Sequence, residues 1–312
     1  MIEVLDPGLL TLVQDLGRPG LAAMGVGRSG AADAPALKLA NRLVGNAETA
    51  AGLELTLGGL HLRFHRGAWV ALTGAPAEIQ LGPPCSATAP PHPASGPAAL
   101  AATDRPRPRT AAAHAPFYVA AGTTVRIGRP VRGLRSYLAV RGGLDLPPVL
   151  GSRASDLLSG IGPEPLVRGM RIPVGREIAG DPIVDIAPVA ELSTEPVLRV
   201  LLGPRQDWFT ANAASALCSG PYQVTPASNR IGVRLAGPRL TRARQGELPP
   251  EGMVGGALQV PPNGQPVLFL ADHPVTGGYP VIAVVVDEDL PKAAQARPGQ
   301  RLRFQCVERT RR

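Results

Sequence analysis

Arg301-Leu302-Arg303-Phe304-Gln305-Cys306 alternates residue by residue. Leu302, Phe304 and Cys306 fall on one side, and Arg301, Arg303 and Gln305 on the other. That period of two marks a half-buried strand, read here as antiparallel. Short apolar runs of strand length recur at residues 69–73, 117–121, 124–127, 136–140, 197–202, 257–260, 267–271 and 281–286, most of them bounded by Gly or Pro. Two helices interrupt them. Asp33 is placed to cap one that runs to Val44, with Leu37, Ala40, Leu43 and Val44 on one face and Gly45-Asn46 ending it. Asp207 is placed to cap a second, over residues 208–217. With 37 Gly, 35 Pro and only 4% aromatic residues, the chain suits short strands and turns better than a helix bundle. The expected fold class is mainly β with a few helices, a β-rich α+β protein.

A length of 312 residues accommodates two domains, and a junction is expected at residues 182–196. The expected units are 1–190 and 197–312. The first carries an Ala/Pro-rich insertion, 83–116, too poor in large apolar groups to offset its ordering entropy and read as a mobile surface segment.

The formal charge of +8 is almost all arginine, since Lys38 and Lys292 are the sole lysines. The arginines are scattered and form no aromatic-interleaved stripe, which argues against nucleic acid. The longest apolar run, 281–286, is far too short for a membrane span, and residues 1–17 do not read as a signal peptide, so a cytoplasmic location is expected. Cys85, Cys218 and Cys306 make no zinc spacing and read as plain thiols, and His61 and His65 share a strand face without a third ligand, so no metal is expected.

Chemistry concentrates in a few stretches. Gly25-Val26-Gly27-Arg28-Ser29-Gly30 matches G-x-G-x-x-G, but turn residues precede it and no βα alternation follows, against a dinucleotide site. Glycines before a capped helix can still offer amides to an anion, or simply make a tight turn. No phosphate-binding loop of the Walker type exists in the chain. Asp272-His273-Pro274-Val275-Thr276-Gly277-Gly278-Tyr279-Pro280 brings a carboxylate, two hydroxyls and a close backbone approach into one loop. Asp272 and His273 are neighbours, so they point to opposite faces and form no dyad. Ser228-Asn229-Arg230 offers a forked donor, or an Asx-type turn with a solvated arginine. Gln259 stands in an apolar strand and needs partners if buried.

These stretches also carry a resemblance. Residues 10–18, Ser29-Gly30-Ala31-Ala32-Asp33, Ala40-Asn41-Arg42-Leu43-Val44-Gly45-Asn46, Leu53-Glu54, residues 136–143, residues 150–153, Gly203-Pro204-Arg205-Gln206-Asp207, residues 228–232, residues 256–261 and Thr276-Gly277-Gly278-Tyr279-Pro280 resemble, in order, the biotin-dependent-carboxyltransferase-like family. That family includes the C subunit of bacterial 5-oxoprolinase, the Kip-inhibitor antagonist and the carboxyltransferase portion of urea amidolyase. This chain departs from it at Pro76, where Asp is usual, and at Pro274-Val275, where Gln-Thr is usual.

The resemblance implies two cyclophilin-like, β-barrel-type domains facing a shared cleft. It implies ATP-dependent opening of 5-oxo-L-proline to L-glutamate, with ATP bound in an assembled complex. The implied partners are a small cyclophilin-like protein, the B subunit of 5-oxoprolinase, and a LamB/YcsF-type protein, its A subunit. The alternatives are a carboxyltransferase acting on urea or a related amide with biotin supplied in trans, and a non-catalytic regulator of a kinase inhibitor. Family substrates share an N–C=O unit, so donors aimed at its oxygen would stabilise developing charge. Arg230, Thr276, Tyr279 and the Gly277-Gly278 backbone are the expected donors, and Asp272 would position or deprotonate the ring N–H. Ser29, Asn41, Gln206, Ser228, Asn229 and Gln259 are the expected substrate-binding residues.

Overall fold

In the computed structural model, residues 1–83, 109–182 and 184–308 are described. The stretch 84–108, which holds most of the Ala/Pro-rich segment, lies outside them. Its C-terminal end does not follow the structureless reading: Arg109–Ala111 is a strand, with Thr110 opposite Gln80. Edge pairing draws on backbone groups and asks little of side chains, so a small-residue run can still join a sheet.

Among the described residues, the first half forms two sheets. One runs, edge to edge, Arg171–Ile172, Ile2–Pro7, Leu60–Phe64, Thr124–Ile127, Ile79–Leu81 and Arg109–Ala111. The other runs Leu10–Gln14, Gly52–Thr56, Arg135–Val140, Ala68–Gly74 and Pro116–Val119. They face each other across one apolar core, where Ile2, Val4, Leu60 and Leu62 meet Leu53, Leu72, Leu138 and Val140. Alternation in Arg135–Val140 then assigns the opposite face: Tyr137 and Ala139 point away from that core and meet α1 (Ala34–Leu43). Leu37, Ala40, Leu43 and Val44 cover them, as the apolar spacing predicts. Asp33 caps α1 by accepting from Ala36 N at 3.1 Å.

The second half closes on itself. Val197–Leu202, Val281–Val285, Ala257–Gln259, Val267–Phe269, Gly232–Ala236, Tyr222–Val224 and Arg301–Cys306 form a barrel. Arg301–Cys306 is antiparallel to Tyr222–Val224 but parallel to Val197–Leu202, with Phe304 opposite Leu198. The antiparallel reading therefore holds on one edge only. Leu302 and Phe304 are buried as expected, whereas Cys306 is exposed. The second helix also differs. Gln206–Trp208 is a single 3-10 turn, Phe209 is extended, and α2 covers only Ala213–Ser219, with no side-chain cap. Phe209 is drawn into the barrel core and its backbone bridges to Arg242, which breaks the helix that Asp207 was expected to start.

Among the described residues the halves share no sheet, but they are locked by polar contacts. After α3 (Leu290–Ala294), Gln295 accepts from Leu134 N and Arg135 N, both at 2.9 Å. It donates to Asp33 Oδ2 at 2.8 Å and to Arg135 O at 2.9 Å, so its amide is saturated. Arg297 donates to the carbonyls of Pro130, Val131 and Gly133.

The barrel carries one acid-sensitive anchor. Burial alone would raise the Asp289 carboxyl, but bonds from Arg199 at 2.9 Å and Lys292 at 2.7 Å outweigh it and bring the pKa down to about 2. A depressed carboxylate stabilises the fold above its unfolded pKa of about 4 and loses that contribution as pH falls through the folded value. Between about pH 5 and about pH 2 the wild-type chain is expected to lose about 2 kcal/mol that an Asp289→Asn variant does not lose. Denaturant unfolding of both chains across that window measures the difference, and equal pH slopes would refute it.

Candidate functional site

Three loops converge where the halves meet. Residues 22–30 and 154–159 come from the first half, and 272–276 from the second. Between them lies a cavity of about 440 Å³, walled by Ala22, Ala23, Gly25, Gly27, Leu158 and Ser159 on one side and by His273, Pro274, Val275 and Thr276 on the other. A larger, apolar cavity of about 610 Å³ opens beside α1 and contains Asp33, Pro76, His114 and Leu192, but no residue of the barrel lines it. The smaller one is the better candidate because both halves build it and an ordered ionic floor lies next to it.

That floor is centred on Arg230, whose side chain is 2% exposed. The backbone places it: Asp272 N donates to Arg230 O at 3.1 Å, extending the ladder between Gly232–Ala236 and Val267–Phe269. The guanidinium then grips Asp272 through Nε–Oδ2 at 2.8 Å and Nη2–Oδ1 at 2.9 Å. Its remaining reach crosses to the first half, where Nη1 donates to Glu54 and Nη2 to Gly30 O at 2.6 Å. Ser29 Oγ sits 2.7 Å from Asp272 Oδ1 and 3.0 Å from Ser155 O. Glu54 also accepts from Tyr137 at 2.8 Å and from Ala32 N at 3.0 Å, and has Arg135 at 3.4 Å. Two carboxylates and two guanidiniums balance, which is what makes such burial tolerable. Burial by itself would raise Glu54, but Arg230 and Arg135 hold it below the usual carboxylate range. Burial, then Glu54 and Asp33, push the Tyr137 phenol well above its ordinary value, so it remains a donor.

This arrangement corrects several expectations. Arg230 and Asp272 do not face an open cleft; they are fully packed against each other and against the first half. The amides at the start of α1 are not open to a ligand either: Ala32 N is bound by Glu54 and Asp33 N by Tyr137 at 2.8 Å, so the protein supplies its own anion there. Asn41 is buried in α1, where it donates to Ala50 O at 2.7 Å and holds the turn after the helix. Asn229 Oδ1 accepts from Ile231 N at 2.9 Å within a turn, and Ser228 Oγ accepts from Arg234 N at 3.0 Å in the strand that follows. Gln206 is exposed on its 3-10 turn. Gln259 donates to Tyr279 O at 3.2 Å, bracing the loop from below, and a side chain at Gly277 would collide with that amide. Gly278 O accepts from Leu248 N at 2.8 Å, while the Tyr279 ring lies under the Arg242 guanidinium, 5.4 Å away, and does not line the cavity.

Thr276 does line it. So does His273, which sequence reasoning placed opposite Asp272 but gave no role. His273 Nδ1 lies 2.9 Å from the carbonyl of Pro274, an acceptor, so Nδ1 is the donor, and in the neutral ring the lone pair sits on Nε2. Glu54, Arg135 and Tyr137 were also missed. An acid inside the apolar run Gly52–Thr56 is the same kind of signal that singled out Gln259. Arg18 is a further buried cation at 2% exposure: it donates to Ala154 O, while its Nε and Nη1 have no partner among the described residues.

The carboxyltransferase domain, subdomain A and B, family matches residues 24–306. The chain belongs to this family. It is 37% identical to the C subunit of 5-oxoprolinase from Escherichia coli, over 98% of this chain and 91% of that protein. Its fold is similar to the crystal structure of TTHA0988, with a TM-score of 0.80 at 34% identity, covering 97% of this chain and 55% of that one. It is similar also to the urea amidolyase of K. lactis, with a TM-score of 0.85 at 28% identity, covering 98% of this chain and 19% of that one. The chain thus spans about half of TTHA0988 and about a fifth of urea amidolyase.

Proposed function

We propose that this chain is the C subunit of a bacterial-type 5-oxoprolinase, opening 5-oxo-L-proline to L-glutamate at the expense of ATP. Its partners in that complex are a small cyclophilin-like protein and a LamB/YcsF-type protein. The observation that carries this reading is the 37% identity to the Escherichia coli C subunit across nearly the full length of both chains. The inter-half cavity fits its chemistry. It has room for a small ring, apolar walls in Ala22, Ala23, Leu158 and Val275, and polar groups at Ser159, His273 and Thr276. Thr276 donates to the amide oxygen as charge develops there, and His273 Nε2 takes a proton from the attacking water and returns it to the leaving ring nitrogen. Arg230, Asp272 and Ser29 act indirectly, by fixing the loop that presents both.

For ATP, the amides at the start of α1 are already bound by Glu54 and Tyr137, and the chain has no phosphate loop of the Walker type. ATP is therefore assigned to the assembled complex. The second reading, a carboxyltransferase using biotin supplied in trans, draws on the likeness to K. lactis urea amidolyase. Its substrate would enter the same cavity.

The isolated chain is expected to neither hydrolyse ATP nor open 5-oxoproline, and mixing with the cyclophilin-like and LamB/YcsF-type partners is expected to produce ATP-dependent glutamate. A coupled glutamate assay on each purified component and on their mixture tests this. Turnover by the single chain overturns the reading of a shared, assembled enzyme. An inactive mixture that carboxylates urea when given biotin carboxylase and carboxylated biotin favours the second reading.

A further inference from the structure

Cys218 lies in α2 and Cys306 ends the strand Arg301–Cys306, 88 positions later. α2 packs on that strand, and the two Sγ atoms come within 2.7 Å, both as free thiols. Sequence spacing alone had made them unrelated residues; the barrel closure brings them together. Cys306 is exposed and Cys218 is half-buried, so a small molecule reaches the pair from solvent. Neither residue belongs to the inter-half cavity or to its ionic floor.

We propose that Cys218 and Cys306 form a redox-active dithiol that exchanges with small disulfides to give an intramolecular disulfide. One cysteine sulfur attacks a small disulfide such as glutathione disulfide, forming a mixed disulfide and releasing one small thiol. The second cysteine sulfur attacks the protein-side sulfur of that mixed disulfide and releases the other small thiol. The two cysteine protons leave with the two released thiols, so two protein thiols are oxidised and one small disulfide is reduced. Burial, together with the adjacent Cys218 thiol, pushes the Cys306 thiol up to about 12. The bond would tie α2 to the strand that closes the barrel, and a cross-link spanning 88 positions restricts the unfolded chain.

The test uses the full-length chain, fully reduced, then exposed to excess glutathione disulfide, alkylated and mapped as non-reduced peptides. The expected product links the peptides of Cys218 and Cys306 and carries no glutathione at either. The thermal midpoint is expected to rise on the order of 5 °C and to return to its starting value with excess dithiothreitol. In Cys218→Ser and Cys306→Ser variants, the remaining thiol should keep the glutathione adduct and the midpoint should not rise. Stable adducts on the wild-type pair, linkage of either residue to Cys85, or continued alkylation of both thiols would each overturn the proposal.

Discussion

An Arg230→Met variant is expected to lose on the order of 10 °C in thermal midpoint, or to fail to accumulate as soluble protein. The reason lies in what the substitution leaves behind. Glu54 and Asp272 are almost wholly buried, and Arg230 is the cation that contacts both. Removing one partner of a buried ion network costs about 3–5 kcal/mol, because the remaining charges stay desolvated. In a chain of this size that corresponds to a midpoint shift of about 2–4 °C per kcal/mol. The pH dependence identifies the cause. In the wild type, Glu54 is held below its ordinary pKa, so its contribution is present at neutral pH and is lost on acidification. Without Arg230, burial dominates and the Glu54 pKa rises, so the variant is penalised at neutral pH and recovers as the group protonates. The stability gap between the two chains should therefore narrow from about pH 7 to about pH 4.5. Melts of wild type and variant at both pH values measure it. A well-folded variant with a constant gap and a large loss of turnover would return Arg230 to the role of a chemical group.

The second large effect concerns rate. His273→Ala is expected to lower turnover of the reconstituted complex by about a hundredfold to ten-thousandfold, the range for removal of a positioned general base. Thr276→Val is expected to cost about a hundredfold or more, as for one lost oxyanion donor. Both residues line the cavity, and Thr276 is exposed, so neither change should move the thermal midpoint by more than a degree or two. His273 does stack on Phe269, with centroids 6.1 Å apart, so a packing role must be separated from a chemical one. Added imidazole does this. Partial rescue of His273→Ala by imidazole, with none for Thr276→Val, is the expected result. Full activity in His273→Ala, or a loss that imidazole leaves untouched, would remove His273 as the base.

Much of the fold was legible because its signals are local. Alternation located Leu302 and Phe304 inside the barrel, and Asp33 marked the start of α1 within one residue. What failed was set by distant pairing. Nothing near Asp207 shows that Phe209 will bridge to Arg242, and nothing near Arg301 shows that its strand will lie parallel to Val197–Leu202. The site divides the same way. The opposite aims of Asp272 and His273 follow from backbone geometry alone: Asp272 joins the ionic floor, while His273 lines the cavity. The burial of Arg230 depends on Glu54, 176 positions away, which no local pattern connects to it. Gly277 was singled out for close approach, and it makes one to the Gln259 side chain.

The parallel ladder between Val197–Leu202 and Arg301–Cys306 has a consequence for how the chain acquires its shape. The strand that opens the second half in sequence is sealed by the one that closes it, with Val197 opposite Arg303. During vectorial synthesis, Val197–Leu202 and Tyr222–Val224 leave the ribosome long before their shared neighbour exists, each with an unpaired row of amides and carbonyls. Such edges recruit other strands, from the same chain or from another polysome. Closure over so long a loop is also slow, since its entropy must be lost before the ladder forms. The second half is thus the place where nascent chains should require chaperone shielding, and where slow translation of the last barrel strand would be most damaging.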